Sequence, residues 1–184
     1  PDAAVVATGD TTAPGVLSLV ATGRQVLDFY AATDTVLDTF GNHEFDYGTD
    51  ALRELVSDAS ATFVSASIRD EDGEPFGRDE GVVPWAVREI GISGDRNDSA
   101  TVGFVGVTDP ATDSLNPMAA ELTFDDPVIA AGDALGEMRA ETPGLDYAVV
   151  LSHLGAGDDD LARALDVDAV LGGHVHSRRN ERIA

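Results

Sequence analysis

The sequence predicts an α/β layered fold with a mixed sheet, and three observations carry that reading. Short apolar runs rich in β-branched residues recur along the chain, and stretches of helical character alternate with them. Three successive strand candidates between 61 and 108 are joined by polar turns alone, which adds an antiparallel element. At 184 residues the chain can bury a proper core as one globular unit over 1–184, without a disulfide or structural metal merely to stay folded.

Taken in order, the strand candidates are "AAVVAT" (3–8), "TVLDTF" (35–40), "ATFVSAS" (61–67), "VVPWAVREI" (82–90), "TVGFVGVT" (101–108), "DYAVVLS" (146–152) and "VDAVLG" (167–172). Helices are expected over 16–32, 50–58, 126–141 and 158–165. The third begins well, with Asp125 or Asp126 as N-cap and Pro127 at the first helical position. The fourth opens on "GDDD", acids where the helix dipole favours them. Two acidic stretches, "RDEDGEP" and "GDRND", lack the twelve-residue register and closing Glu of a calcium loop and read as hairpin turns.

Composition removes whole classes of chemistry. With 34 acidic and 11 basic residues, all of the latter Arg, the net charge is 11 − 34 = −23. Such a surface repels nucleic-acid backbones and excludes a DNA- or RNA-binding module. Acidic excess without Lys suits a protein kept soluble in concentrated salt, where screening makes self-repulsion cheap, so a halophilic source is expected. The absence of Cys removes thiolate nucleophiles, thiolate zinc sites and iron–sulfur clusters. The absence of Lys removes Schiff bases and the phosphate-cradling "GK[ST]" loop, and neither "GxSxG" nor "HExxH" occurs. No apolar run approaches the ~20 residues needed to cross a bilayer, so the chain reads as soluble with no membrane partner. Because it begins at Pro1, export or a cell-surface location of a longer protein stays open, as does the oligomeric state.

What remains for chemistry is Asp, Glu, Asn and His, and these collect after the apolar strands. "AAVVAT" is followed by Gly9-Asp10, "TVLDTF" by Gly41-Asn42-His43-Glu44, "YAVVLS" by His153, and "DAVLGG" by His174-Val175-His176. Ligands in open α/β sheets bind outside the carboxyl ends of the strands, so the four turns are expected to converge. All four His of the chain lie in them. Singly, each His is more often a satisfied polar residue than a ligand; jointly they point to a metal site. If extended, "GGHVH" puts His174 and His176 on one face, with a Gly pair allowing close approach to a ligand. Imidazole, carboxylate and amide oxygen together suit Mn, Fe, Co, Ni or Zn better than all-oxygen magnesium or calcium cages.

"GD", "GNHEFD", "SH" and "GGHVH", in that order from Gly9 to His176, resemble the calcineurin-like dinuclear metallophosphoesterases. "GNHEFDYG" with "FVSAS" downstream is similar to their 5′-nucleotidase branch. The resemblance implies a layered α-β-β-α sandwich of mixed sheets. It also implies hydrolysis of phosphate esters, nucleotides above all, by a hydroxide bridging two divalent metal ions. By that resemblance Asp10 bridges the metals, Asn42, His153 and His174 complete the second metal's shell, and His176 belongs to the first. His43 is then free to face substrate and protonate the leaving oxygen, Asp46 orients it, and Glu44 supports the turn. Phe45 and Tyr47 are expected to pack beneath the loop.

One departure matters. The family carries an Asp-x-His pair upstream of the "GD" turn for the first metal, and further strands with a nucleotide-binding domain downstream; this chain has no such pair, and Asp2 cannot substitute. The expectation is a partial catalytic domain whose second metal site is complete and whose first is not. Three alternatives stand beside the 5′-nucleotidase reading: a 2′,3′-cyclic phosphodiesterase, a nucleotide-sugar hydrolase of the same branch, and a non-catalytic metal-binding fragment.

Overall fold

The structure is a computed structural model that describes residues 3–92 and 98–183. Asp2 and most of the acidic turn at 94–98 lie outside the described residues. Three apolar clusters show how the chain layers itself. One joins Val26, Tyr30, Leu52 and Leu55 of two helices to Phe40, Phe45 and Phe63. A second sets Ala131, Leu135 and Met138 of another helix against Val105, Val107 and Val150. Between them lies a sheet-to-sheet core of Leu37, Val64, Ala86, Val102, Phe104 and Leu151. The result is the expected α-β-β-α sandwich.

The first sheet is parallel, in the order β1 (Val5–Val6), β2 (Thr35–Asp38), β3 (Thr62–Phe63). The second is mixed, in the order β5 (Trp85–Gly91), β6 (Ser99–Thr108), β8 (Tyr147–His153), β9 (Ala169–Gly172), with only the β5–β6 pair antiparallel. A short antiparallel pair, β4 (Ile68–Arg69) with β7 (Thr123–Phe124), lies apart from both. After β6 the chain makes one helical turn, α4 (Thr112–Leu115). The long helix, α5 (Pro127–Glu141), starts as its sequence demands: Asp126 accepts from the N–H of Val128 and Ile129 at 2.9 and 3.0 Å. α6 (Asp158–Ala164) opens on its three acids. The "RDEDGEP" stretch is a hairpin turn, closed by Asp70 N–H on Glu74 O. No helix among the described residues is long and apolar enough to cross a membrane.

The strands expected over 3–8, 82–90 and 167–172 begin later, at Val5, Trp85 and Ala169, and three further expectations change. The helix expected over 16–32 is two, α1 (Val16–Ala21) and α2 (Gln25–Thr33), because Thr22 and Gly23 turn left-handed (φ 49° and 82°) and end the first. The strand over 35–40 stops at Asp38, whose side chain takes the N–H of Thr39 out of the ladder. The strand over 61–67 keeps only two residues in the first sheet. Beyond Phe63 the chain changes partners: Val64 N–H still bonds Asp38 O, Ser65 N–H bonds Val83 O, and Ala66 N–H reaches Gly106 O in β6. This segment stitches the two sheets together, which a pattern of apolar residues cannot reveal.

Candidate functional site

The short helical turn Asn42–Phe45 follows β2, and α3 (Thr49–Asp58) follows it. Phe45 is fully buried beneath the turn, in contact with Phe40, Phe76 and Phe124, so the loop is anchored by ~2–3 kcal/mol of apolar burial from that ring alone. Above it, Glu44 is buried and its carboxylate collects four backbone N–H groups. Asp10 and Gly41 donate to Oε2 at 2.7 and 2.6 Å, and Thr11 and Thr12 to Oε1 at 2.7 and 3.2 Å. One side chain thus clips the "GD" turn to the "GNHE" turn. Burial, then the negative charges of Asp38 and Asp10, push the Glu44 carboxyl up to about 7, while the N–H donors pull against them.

A second buried carboxylate sits behind the first. Asp38 accepts from Gly9 N–H at 3.0 Å, Thr39 N–H at 2.8 Å, the Thr11 hydroxyl at 2.7 Å and the Tyr30 hydroxyl at 2.5 Å. Burial raises its carboxyl above the usual range despite these donors. The phenol of Tyr30 is likewise pushed far upward, by burial and then by the charge of Asp38.

On this frame the side chains singled out in the sequence come together. Among the described residues, Asp10, His153 and His174 form the one group of carboxylates and imidazoles close enough to hold a cation, each offering an atom within 4.8 Å of the others. Register explains part of this, since Thr108 pairs with His153 across β6 and β8, and Ser152 with Gly172 across β8 and β9. The four turns converge as expected, although they leave two different sheets. His153 Nδ1 lies 2.6 Å from the carbonyl of Thr8, which makes Nδ1 the N–H donor and links the sheets at the site. Its Nε2 is therefore a lone pair in the neutral ring. That atom is buried, without a hydrogen-bond partner, 3.1 Å from Asp10 Oδ2. Two facing acceptors are what a cation would bridge.

The other donors fit the same use. Asn42 Oδ1 is buried with no partner, and its neighbours on both sides touch Asp10. His43 N–H donates to Asp10 Oδ1 at 2.9 Å, while a Cβ on Gly41 would stand 2.6–2.7 Å from His153 Cε1 and Nε2. A proton on His153 Nε2 answers the same facing pair: burial works against charge on His153, but Asp10 and the Thr8 carbonyl raise the imidazole above its ordinary value. Burial likewise pushes the Asp10 carboxyl upward, but the protonated form of His153 and the His43 N–H outweigh it and hold the group below its ordinary value. The imidazole of His43 lies half-open to solvent and is held through Nδ1 by both oxygens of Asp46, at 3.0 and 3.2 Å.

Two expectations about "GGHVH" need correction. His174 adopts φ 66° just past the end of β9, so the segment is not extended and His174 does not share a strand face with His176. His174 turns toward His153, ring centroids 5.0 Å apart, whereas His176 is exposed and outside the cluster. Nor does the Gly pair leave room for a ligand. A Cβ on Gly173 would meet Thr8 O and His153 Nδ1 at 2.5 and 2.9 Å, so the close approach is to the protein itself.

Comparison with known proteins sets this geometry in a lineage. The family profile for calcineurin-like phosphoesterases matches residues 1–178. The chain belongs to that family. A 2′,3′-cyclic-nucleotide 2′-phosphodiesterase/3′-nucleotidase of Yersinia enterocolitica is 26% identical over 159 residues, covering 78% of this chain and 24% of that protein. Human 5′-nucleotidase is 28% identical over 181 residues, covering 96% of this chain and 30% of its own length. The crystal structure of a 5′-nucleotidase precursor from Thermus thermophilus superposes with a TM-score of 0.80 at 29% identity, over 95% of this chain and 32% of that one. The chain therefore spans from 24% to 32% of the length of these three proteins.

Several residues of this site escaped the sequence reading. Asp38 and Tyr30 look like strand and helix residues, and nothing local marks them as partners. Asp109, whose carboxylate is 3.9 Å from His174 Nε2, did carry a signal, since it follows the carboxyl end of β6 as the other site residues follow theirs. Asn116, buried between Asn42 and Asp46, lies 70 positions along the chain from the latter, and only the fold brings it there.

Proposed function

We propose that the chain is the catalytic part of a metal-dependent phosphohydrolase that removes phosphate from nucleotides, in the manner of a 5′-nucleotidase. The observation that carries the reading is the arrangement of buried acceptors: His153 Nε2 and Asn42 Oδ1 lack hydrogen-bond partners beside the Asp10, His153, His174 cluster. Asp10, Asn42, His153 and His174 would hold one divalent ion, and Asp10 with His176 would contribute to a second. This nitrogen and oxygen donor set suits Mn, Zn, Fe, Co or Ni. Such ions, when bound, neutralise phosphoryl charge and make water nucleophilic at neutral pH.

The protein's own groups supply the rest. Asp46 grips one ring nitrogen of His43, which orients the other toward the leaving oxygen so that His43 can protonate it. Glu44 and Asp38, each saturated with donors, hold the two turns in place and take no part in proton transfer. Likeness to the Yersinia protein favours cyclic phosphodiester hydrolysis as a second reading; a nucleotide sugar stays as a further substrate class from the sequence resemblance alone.

Product analysis after incubating the full chain and Mn²⁺ with 5′-AMP, 2′,3′-cyclic AMP or a nucleoside diphosphate sugar separates these readings, the products being adenosine with phosphate, the ring-opened adenosine monophosphate, and a nucleoside monophosphate with a sugar phosphate, respectively. No hydrolysis of any of them overturns the enzymatic reading in favour of a metal-binding scaffold. Elemental analysis of dialysed protein tests the ligand count, with one tightly held divalent ion expected per chain. Two would overturn that count and make Asp109 the carboxylate to replace first.

A further inference from the structure

The turn at 116–118 holds a side chain that does more than its local position requires. Asn116 is the N-cap of the short helical turn Pro117–Ala119, and its Oδ1 accepts the N–H of Met118 at 3.0 Å. A cap needs nothing else; Asp, Ser or Thr accept that N–H equally well. Of these capping residues, only Asn carries a second polar atom with two N–H donors beside the capping oxygen. Here Nδ2 donates to the backbone carbonyl of Asn42 at 2.8 Å and to Asp46 Oδ1 at 2.9 Å. Both amide hydrogens and the amide oxygen are then used, in a side chain that is 6% exposed. The three contacts also fix which way the amide faces, because a flipped group would set its oxygen against the Asn42 carbonyl and the Asp46 carboxylate.

We infer that Asn116 is a positioning residue, a brace from the segment after β6 that holds Asp46 against His43 while fixing the peptide of Asn42 beside it. The inference rests on the reading of His43 as the proton donor to the leaving group. Asp46 has one oxygen 3.0 Å from His43 Nδ1 and the other 3.2 Å away, and the second is the one Asn116 holds. Without the brace the carboxylate rotates freely at the surface of the turn, and the imidazole loses its fixed orientation. A misplacement of that kind penalises the ester whose leaving oxygen most needs a proton.

Two substitutions separate brace from cap. Asn116→Asp keeps size and cap but removes both Nδ2 donors, and Asn116→Ser keeps a capping oxygen, removes the same two N–H groups and adds no charge. Each variant is compared with wild type for melting temperature, bound Mn²⁺ and turnover of two esters, 4-nitrophenyl phosphate with its good leaving group and an alkyl phosphate with a poor one. Both variants are expected to retain metal and to lose roughly 10²-fold on the alkyl ester but less than about tenfold on the aryl one. Equal losses on both esters, losses that track metal content, or a defect in Asn116→Asp alone would overturn the inference. A second readout needs no turnover: long-range proton–nitrogen NMR of the metal-free chain should show His43 as one tautomer, N–H at Nδ1, in wild type and as a mixture in both variants. Should wild type hydrolyse neither ester, the functional reading fails while the tautomer measurement still decides the brace, and an unchanged tautomer removes it.

Discussion

Replacing Glu44 by Gln tests the clip that joins the two metal-binding turns. The wild-type carboxylate receives four backbone N–H groups, two on each oxygen, and an amide can match only one pair. Its NH₂ faces the other pair, so above about pH 7, where the wild-type group is ionised, two charge-assisted hydrogen bonds are lost at about 1.5–3 kcal/mol each. Against this stands the relief of a buried charge. With its pKa raised from 4.5 to about 7, Glu44 prefers to be protonated in the folded state. Its contribution to stability is fully present below about pH 4.5 and is lost as pH rises through about 7, by about 3 kcal/mol in all and about 2–3 kcal/mol between roughly pH 5 and pH 8. Gln has no such dependence. Urea unfolding of the metal-free proteins should therefore show the gap, wild type minus Glu44→Gln, falling by about 2–3 kcal/mol between roughly pH 5, where a neutral acid is compared with an amide, and pH 8. A gap that is constant, or that widens with pH, would refute the picture of a charge buried at a cost and held by oriented N–H groups.

Three further outcomes follow from the same geometry. His43→Asn should lower turnover by about 10²–10⁴-fold with metal content nearly intact, since the ring is held by Asp46 and is not part of the Asp10, His153, His174 group; equal loss of metal and activity would identify it as a ligand instead. Gly41→Ala drives a methyl group against Asp10 Oδ1 and the His153 ring, and should cost about 1–3 kcal/mol and at least about tenfold in Mn²⁺ affinity, measured by calorimetric titration. With a net charge of −23, the melting temperature should climb as KCl is raised to molar concentration, where the Debye length falls to about 3 Å; a flat or falling curve removes the expectation of a halophilic source.

The sequence by itself determined which chemistry was available and where along the chain it sits. Without Cys or Lys, and with every His placed just after an apolar strand, the choice narrowed to Asp, Asn and His at strand ends, and those turns do meet. The layered class, the α5 cap and the burial of Phe45 were legible for the same reason: each depends on a local pattern of apolar spacing or capping chemistry. Tertiary structure alone decided the left-handed turn that swings His174 toward His153 and leaves His176 outside. It alone set Asp38 and Glu44 as saturated anchors and Asn116 as a brace on Asp46. These are hydrogen bonds between groups roughly 30 to 70 positions apart, and such distant partners are chosen by strand register and the crossing between sheets, about which neighbouring residues carry no information.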